Sequence, residues 1–187
     1  MIFYEKQIEL TTERLVLRPL RLSDAKILAD HLQDPRIGNN AWHLEEPFTE
    51  QHMAEFIERE KADMNWLFLA ITTKNDDAIG VFDAFFYAEN KVAEIGYWLG
   101  SKFWGKGYAT EAAEGFINYV FNDMKLNKLE ATVFPSNRAS THVLEKLGMV
   151  QEGYRKNHIF HSGEFFDIIE FGLLRSEYEQ QHSIKKK

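Results

Sequence analysis

Residues 94–111 read Glu94-Ile95-Gly96-Tyr97-Trp98-Leu99-Gly100-Ser101-Lys102-Phe103-Trp104-Gly105-Lys106-Gly107-Tyr108-Ala109-Thr110-Glu111. This is strand, short loop, helix. Residues 92–99 alternate and are rich in β-branched and aromatic side chains, which predicts a strand. Residues 110–121 place Ala113, Phe116, Ile117, Val120 and Phe121 at helical spacing. Small residues fill the loop where the helix begins. A helix start has unpaired N–H groups and the positive end of the dipole, so it suits an anion. Glycine lets a phosphate approach the backbone closely. On sequence alone the glycines also fit a plain tight turn. No Gly-Lys-Ser/Thr ends the loop, and Thr110 stands where a dinucleotide fingerprint has its third glycine, so neither a P-loop nor an ordinary Rossmann turn is present.

A second stretch sharpens the first. Residues 129–133 read as a strand, Pro135-Ser136-Asn137 breaks it, and residues 138–147 read as a helix. Asn137 is an N-cap residue. Gly148 stands where a left-handed residue ends a helix. Together these segments resemble the GNAT superfamily of acyl-CoA N-acyltransferases, and within it the RimL/RimJ-like branch that acetylates ribosomal-protein N-termini. The resemblance is carried by Glu94-Ile-Gly-Tyr-Trp-Leu, by Trp104-Gly-Lys-Gly-Tyr-Ala-Thr-Glu-Ala112, and by Asn137-Arg-Ala-Ser140 with Val143-Leu-Glu-Lys-Leu-Gly148. It implies an α+β fold: a mixed, mostly antiparallel sheet of about seven strands flanked by about four helices. It further implies acetyl-CoA as co-substrate, an amine as acceptor, and a possible homodimer.

The 187 residues suit one domain, with a core over about 12–174 and a polar tail over 175–187. An apolar fraction of 44% with 14% aromatics argues for a packed globule. No apolar run is long enough to span a bilayer, so no membrane partner is expected. Residues 1–6 lack a secretory pattern, and the chain has no cysteine, which agrees with a cytoplasmic protein. A net charge of −7 argues against nucleic acid as a partner. It suits a cationic acceptor, and equally it suits simple solubility.

Along the chain, a first strand is predicted over 12–18, then a helix capped by Ser23 and stopped at Asp34-Pro35. Thr49 caps a second helix with Met53, Phe56 and Ile57 inward. Strands over 66–73, 78–88 and 92–99 form an antiparallel meander. Strands over 150–160 and 164–174 make a hairpin at His161-Ser162-Gly163.

Acetylating an amine sets four tasks: neutralise the phosphates, place the thioester, deprotonate the ammonium, and stabilise the leaving thiolate. The resemblance distributes them over named residues. Backbone groups of Trp104, Gly105, Lys106, Gly107, Tyr108, Ala109 and Thr110 hold the phosphates. Trp104 stands where much of the superfamily has Gln or Arg, so the backbone carries this task. Lys106 and Arg138 either add charge there or are ordinary exposed cations. Tyr97, Trp98 and Leu99 contact the pantetheine where the fourth and fifth strands of the family part, or are plain core. Asn137 hydrogen-bonds the pantetheine arm as well as capping its helix.

Glu94 is the candidate base, with a solvated or ion-paired strand carboxylate as the alternative. The glutamate that related ribosomal enzymes use on the sixth strand falls at Ile159, and His158 is expected on the opposite face. Ser140 stands near the thioester sulfur in this branch, as a hydrogen-bond donor or water relay, or as a second cap. Seven histidines make no metal motif, and no metal is expected. The acceptor pocket is assigned to residues 39–46 and the hairpin over 150–174. The rivals keep the fold: an acetyltransferase for a small amine such as a polyamine, amino acid or antibiotic, or an inactive CoA-binding sensor.

Overall fold

The computed structural model describes residues 7–38, 40, 48–161 and 163–184. Its strands are β1 (Leu10–Thr11), β2 (Leu15–Pro19), β3 (Trp66–Thr73), β4 (Ala78–Tyr87), β5 (Val92–Leu99), β6 (Lys128–Val133), β7 (Val150–His161) and β8 (Glu164–Leu174). Its helices are α1 (Ala25–Leu32), α2 (Pro35–Gly38), α3 (Glu50–Glu60), α4 (Tyr108–Asn122), α5 (Arg138–Lys146) and α6 (Arg175–Ile184). The strands form one sheet in the order β1-β2-β3-β4-β5-β6-β8-β7. Every pairing is antiparallel except β5–β6.

One face of the sheet is apolar from β2 to β8 and the other is apolar over β3 to β5, so the alternation of these central strands feeds two layers. Leu67, Leu69 and Ile71 of β3, with Phe82 of β4, join Ala112, Phe116, Val120 and Phe121 of α4 on one face. The Phe82 and Phe116 rings lie 4.7 Å apart. Ala70, Val81 and Trp98 join Leu28, Ala29 and Leu32 of α1 and Met53 and Ile57 of α3 on the other. Each large side chain buried this way contributes about 1.5–3 kcal/mol.

The parallel seam is short. It pairs Val92 with Lys128, Ala93 with Leu129 and Glu94 with Glu130, and stops there. Beyond Glu94, β5 follows β4 as far as the Leu99–Gly80 pair, while β6 follows β8. The two strands therefore part over residues 95–99 and 131–133.

Several local expectations are corrected. Of the strand expected over 12–18 only β2 forms, from Leu15 on: residues 12–14 make a turn closed by Thr12 N–H on the Leu15 carbonyl (3.0 Å), and the short β1 precedes it. Ser23 lies within a single 3-10 turn (Leu22–Asp24), and it is Asp24 that accepts the Arg21 N–H. Asp24 is tied to buried Arg18 by bonds of 2.8 and 2.9 Å. Pro35 ends α1 but opens α2, a position where its missing N–H costs nothing. Residues 175–184 form a helix rather than a tail. Tyr178 docks on Phe121 at 5.2 Å between ring centroids and is only 8% exposed. The sheet thus has eight strands and the chain six α-helices among the described residues, against about seven and about four expected.

Candidate active site

Gly105 and Gly107 hold φ of +71° and +80°, the left-handed region where a side chain strains the backbone. Gly107 thereby turns the chain straight into α4, two residues before the predicted start. Glu111 N–H is the first to bond back, to the Gly107 carbonyl at 3.0 Å. The N–H groups of Tyr108, Ala109 and Thr110 precede that bond, and no side chain caps them. A fifteen-residue helix therefore offers bare donors at its positive end. Lys106 is exposed beside them, and Arg138 is exposed at the start of α5. The Trp104 indole N–H donates to the Leu99 carbonyl at 2.8 Å, bracing the loop against the end of β5.

A clamp from the far edge of the sheet holds this loop. Glu111 accepts from the Thr12 hydroxyl at 2.7 Å, from the Arg14 N–H at 2.6 Å and from Arg14 Nε at 2.6 Å. Arg14 also donates to the Lys106 carbonyl at 2.9 Å, and its guanidinium lies 4.6 Å over the Tyr108 ring. Burial works against an ionised Glu111, but the hydrogen bonds from Thr12 and Arg14 outweigh it and hold the carboxyl below its ordinary value. Sequence reading missed Arg14, because its partners lie some ninety residues away and no local pattern announces them.

The parted strands bring Tyr97 to Ser140. Asn137 caps α5 by accepting the Ser140 N–H at 3.1 Å. The Ser140 hydroxyl lies 2.9 Å from the Tyr97 hydroxyl. Burial pushes the Tyr97 phenol up to about 12, against a smaller downward pull from Ser140. Tyr97 therefore stays protonated at neutral pH. Trp98 and Leu99 are buried in opposite cores, so only their backbone is left to meet a ligand between the strands.

On the face opposite Tyr97, a cleft of about 510 Å³ opens beside the seam. Glu94, Glu130, Glu152, Glu170, Arg155 and Tyr87 line it. Lys128 pairs with Glu130 and Glu152 at 2.9 and 2.6 Å, and Arg155 with Glu170 at 2.6 Å. Glu94 is the exception: its contact is the Tyr87 hydroxyl at 3.4 Å. His158 and Ile159 both line this cleft, which corrects the expectation that they face apart. A register shift between Arg155 and Ile159, with Asn157 at a φ of +49°, breaks the alternation. Of the pocket segment expected over residues 39–46, only Asn40 lies within the described residues. Its side-chain oxygen is 3.4 Å from the Asn137 amide nitrogen. Sequence reading also missed Asp83, a buried carboxylate in the middle of β4. A lone charge in the run Ala78-Ile-Gly-Val-Phe-Asp-Ala-Phe-Phe was the available signal. Among the described residues no cluster of three or more potential metal ligands occurs.

The family described as the acetyltransferase (GNAT) domain matches residues 14–150. The Bacillus licheniformis protein p20, described as an uncharacterized N-acetyltransferase, is 35% identical over 175 residues, covering 90% of this chain and 97% of that protein. The ribosomal protein uS5-alanine N-acetyltransferase of Escherichia coli (strain K12) is 27% identical over 172 residues, covering 87% of this chain and 89% of its own. Mycobacterium smegmatis RimJ, solved in complex with CoA-disulfide, shares the fold at a TM-score of 0.80 and 24% identity, over 91% of this chain and 89% of that one. The parted β5–β6 seam and the glycine loop at the start of α4 both fall inside the matched span, and the chain belongs to the GNAT acetyltransferases.

Proposed function

We propose that this acetyltransferase moves the acetyl group of acetyl-CoA to a primary amine, and that the acceptor is a protein N-terminal α-amino group. The observation that carries the reading is the seam that opens beyond Glu94, with a bare helix start at one end and a carboxylate-lined cleft on the other face. The N–H groups of residues 108–110 suit the pyrophosphate, and glycine at 105 and 107 leaves room for it. The likeness to RimJ, which carries CoA-disulfide, supports the same donor here.

Ser140 and Tyr97 face the leaving sulfur in this scheme. A phenol held near 12 against a thiol that titrates near 8.5 makes full proton transfer uphill by about 5 kcal/mol. The pair therefore acts by donating a hydrogen bond to the departing thiolate. On the other face, Glu94 is the carboxylate through which the proton that the ammonium must lose leaves for the cleft. The Asn137 oxygen caps α5, and its amide N–H₂, which gives one hydrogen to Asn40, has a second to offer the pantetheine arm.

The E. coli relative, named for the alanine of uS5, favours a protein N-terminus. The size of the cleft favours a second reading, a small amine, since about 510 Å³ lies within the range of small-molecule sites. Release of free CoA from acetyl-CoA separates these. A short peptide with a free N-terminal alanine is expected to outpace spermidine. The reverse order selects the small-amine reading. CoA binding with no release on any amine selects the sensor.

A further inference from the structure

Asp83 lies buried beside the opened part of the acceptor face, behind the residues that line the cleft. In the β4–β5 register Asp83 stands opposite Gly96, and Phe85 opposite Glu94. Gly96 lies two residues past the last β5–β6 pair, Glu94 with Glu130, where the function proposed above puts the thioester. The Asp83 carboxylate lies over Gly96: a Cβ there would meet Oδ2 at 2.7 Å and Oδ1 at 2.8 Å. Only glycine leaves the carboxylate that place. Alternation puts Asp83 on the face of Val81, and puts Gly96 on the face of Glu94 and Trp98, away from Tyr97 and Ser140. Asp83 and Glu94 are diagonal cross-strand neighbours, about 7–8 Å apart. They differ in surroundings. Asp83 is 4% exposed, while Glu94 lines the open cleft. In such a low dielectric a carboxylate attracts an arriving cation far more strongly than one at the surface.

We propose that Asp83 receives the acceptor's ammonium at the parted strands and takes its proton, and that Glu94 passes that proton on to the cleft. The assignment rests on the acetyltransferase reading above. The ammonium R–NH₃⁺ gives one proton to the Asp83 carboxylate, and R–NH₂ remains. Its nitrogen lone pair attacks the thioester carbonyl carbon. The C–N bond forms, the C–S bond breaks, and the second nitrogen proton ends on the thiolate. The products are R–NH–CO–CH₃, CoA-SH and one proton, which leaves Asp83 through bridging water to Glu94 and from there to solvent. The acceptor is therefore selected as a cation, by a group deeper in the site than the cleft.

The test is Asp83→Asn in the full chain, read as CoA release on three acceptors. Spermidine and a peptide with a free N-terminal alanine are cationic at neutral pH, the peptide only in part. Hydroxylamine is uncharged there. The expected result is a loss in kcat/KM of roughly 10²-fold or more on spermidine, a smaller loss on the peptide, and a change within about threefold on hydroxylamine. CoA affinity by calorimetry stays at the wild-type value. Wild-type rates on spermidine overturn the assignment. An equal loss on hydroxylamine also overturns it, because it marks a role in shape rather than charge. If Asp83→Asn does not fold, the smaller Asp83→Ser carries the same comparison. A wild-type chain that releases no CoA on any of the three overturns the acetyltransferase reading itself, and the assignment with it.

Discussion

Replacing Glu111 with glutamine should loosen the phosphate loop by a calculable amount. Glu111→Gln keeps the shape but removes the charge that three donors share: the Thr12 hydroxyl, the Arg14 N–H and Arg14 Nε. The glutamine oxygen still serves one or two of them. Its N–H₂ then faces Arg14 Nε, donor against donor. A hydrogen bond to a charged group is worth about 1.5–3 kcal/mol net. The Arg14 side chain is 44% exposed, so solvent screening takes the lower end. The expected loss is about 2 kcal/mol, or roughly 4–8 °C in Tm for a chain of this length. The sign with pH follows from the depressed Glu111 carboxyl. Its contribution is fully present above the unfolded value of about 4.3 and is lost as pH falls through the lower folded value. Urea unfolding of both proteins near pH 7 and near pH 3 measures this. The gap of about 2 kcal/mol at neutral pH should shrink in acid as the wild-type carboxyl protonates. CoA affinity should fall with it at neutral pH, since Arg14 no longer holds the Lys106 carbonyl. A gap that is the same at both pH values refutes the electrostatic account and leaves a packing defect in its place.

Gly107→Ala should weaken CoA binding at least tenfold by calorimetry, and the positive φ should cost about 1–2 kcal/mol of stability; unchanged affinity would dissociate the loop from the phosphates. Ser140→Ala and Tyr97→Phe should each lower kcat by up to about 10²-fold with little change in the KM for acetyl-CoA. The double variant should be no worse than either alone, because they form one hydrogen-bonded unit; full additivity in a double-mutant cycle would separate them. Arg18→Met strands the Asp24 carboxylate, whose side chain is 6% exposed, and should cost about 3–5 kcal/mol in urea unfolding. A loss below about 1 kcal/mol would mean that water reaches Asp24.

The sequence was legible wherever local physics decided the outcome. The bounds of β3 and β5 agree with the alternation of residues 66–73 and 92–99, and α5 runs from the Asn137 cap to Gly148, whose φ is +80°. The glycine loop was legible too, as a strand-to-helix turn with bare donors. What stayed hidden was decided by partners distant in the chain. In α6 the docking side chains, Tyr178 and Gln181, stand amid polar neighbours, so no apolar stripe marked it as a helix. Arg14 read as a polar residue on a strand until the fold brought Glu111 to it. The hairpin bulge at Asn157 turned His158 onto the face of Ile159, and period-two counting fails across such a bulge. Asp83 was visible as an oddity, but its place over Gly96 depends on the β4–β5 register.

The seam between β5 and β6 holds for three residue pairs. The sheet is in effect two panels, β1 to β5 and β6 to β8, joined within the sheet by a three-rung hinge and packed together on one face by the larger core. Each panel keeps its own antiparallel ladders, so rotating one against the other about the hinge need not break the hydrogen bonds within either panel. Such a rotation widens or narrows the slot between residues 95–99 and 131–133. The Tyr97–Ser140 bridge spans one side of that slot like a latch, tying the β5 panel to the helix that follows β6.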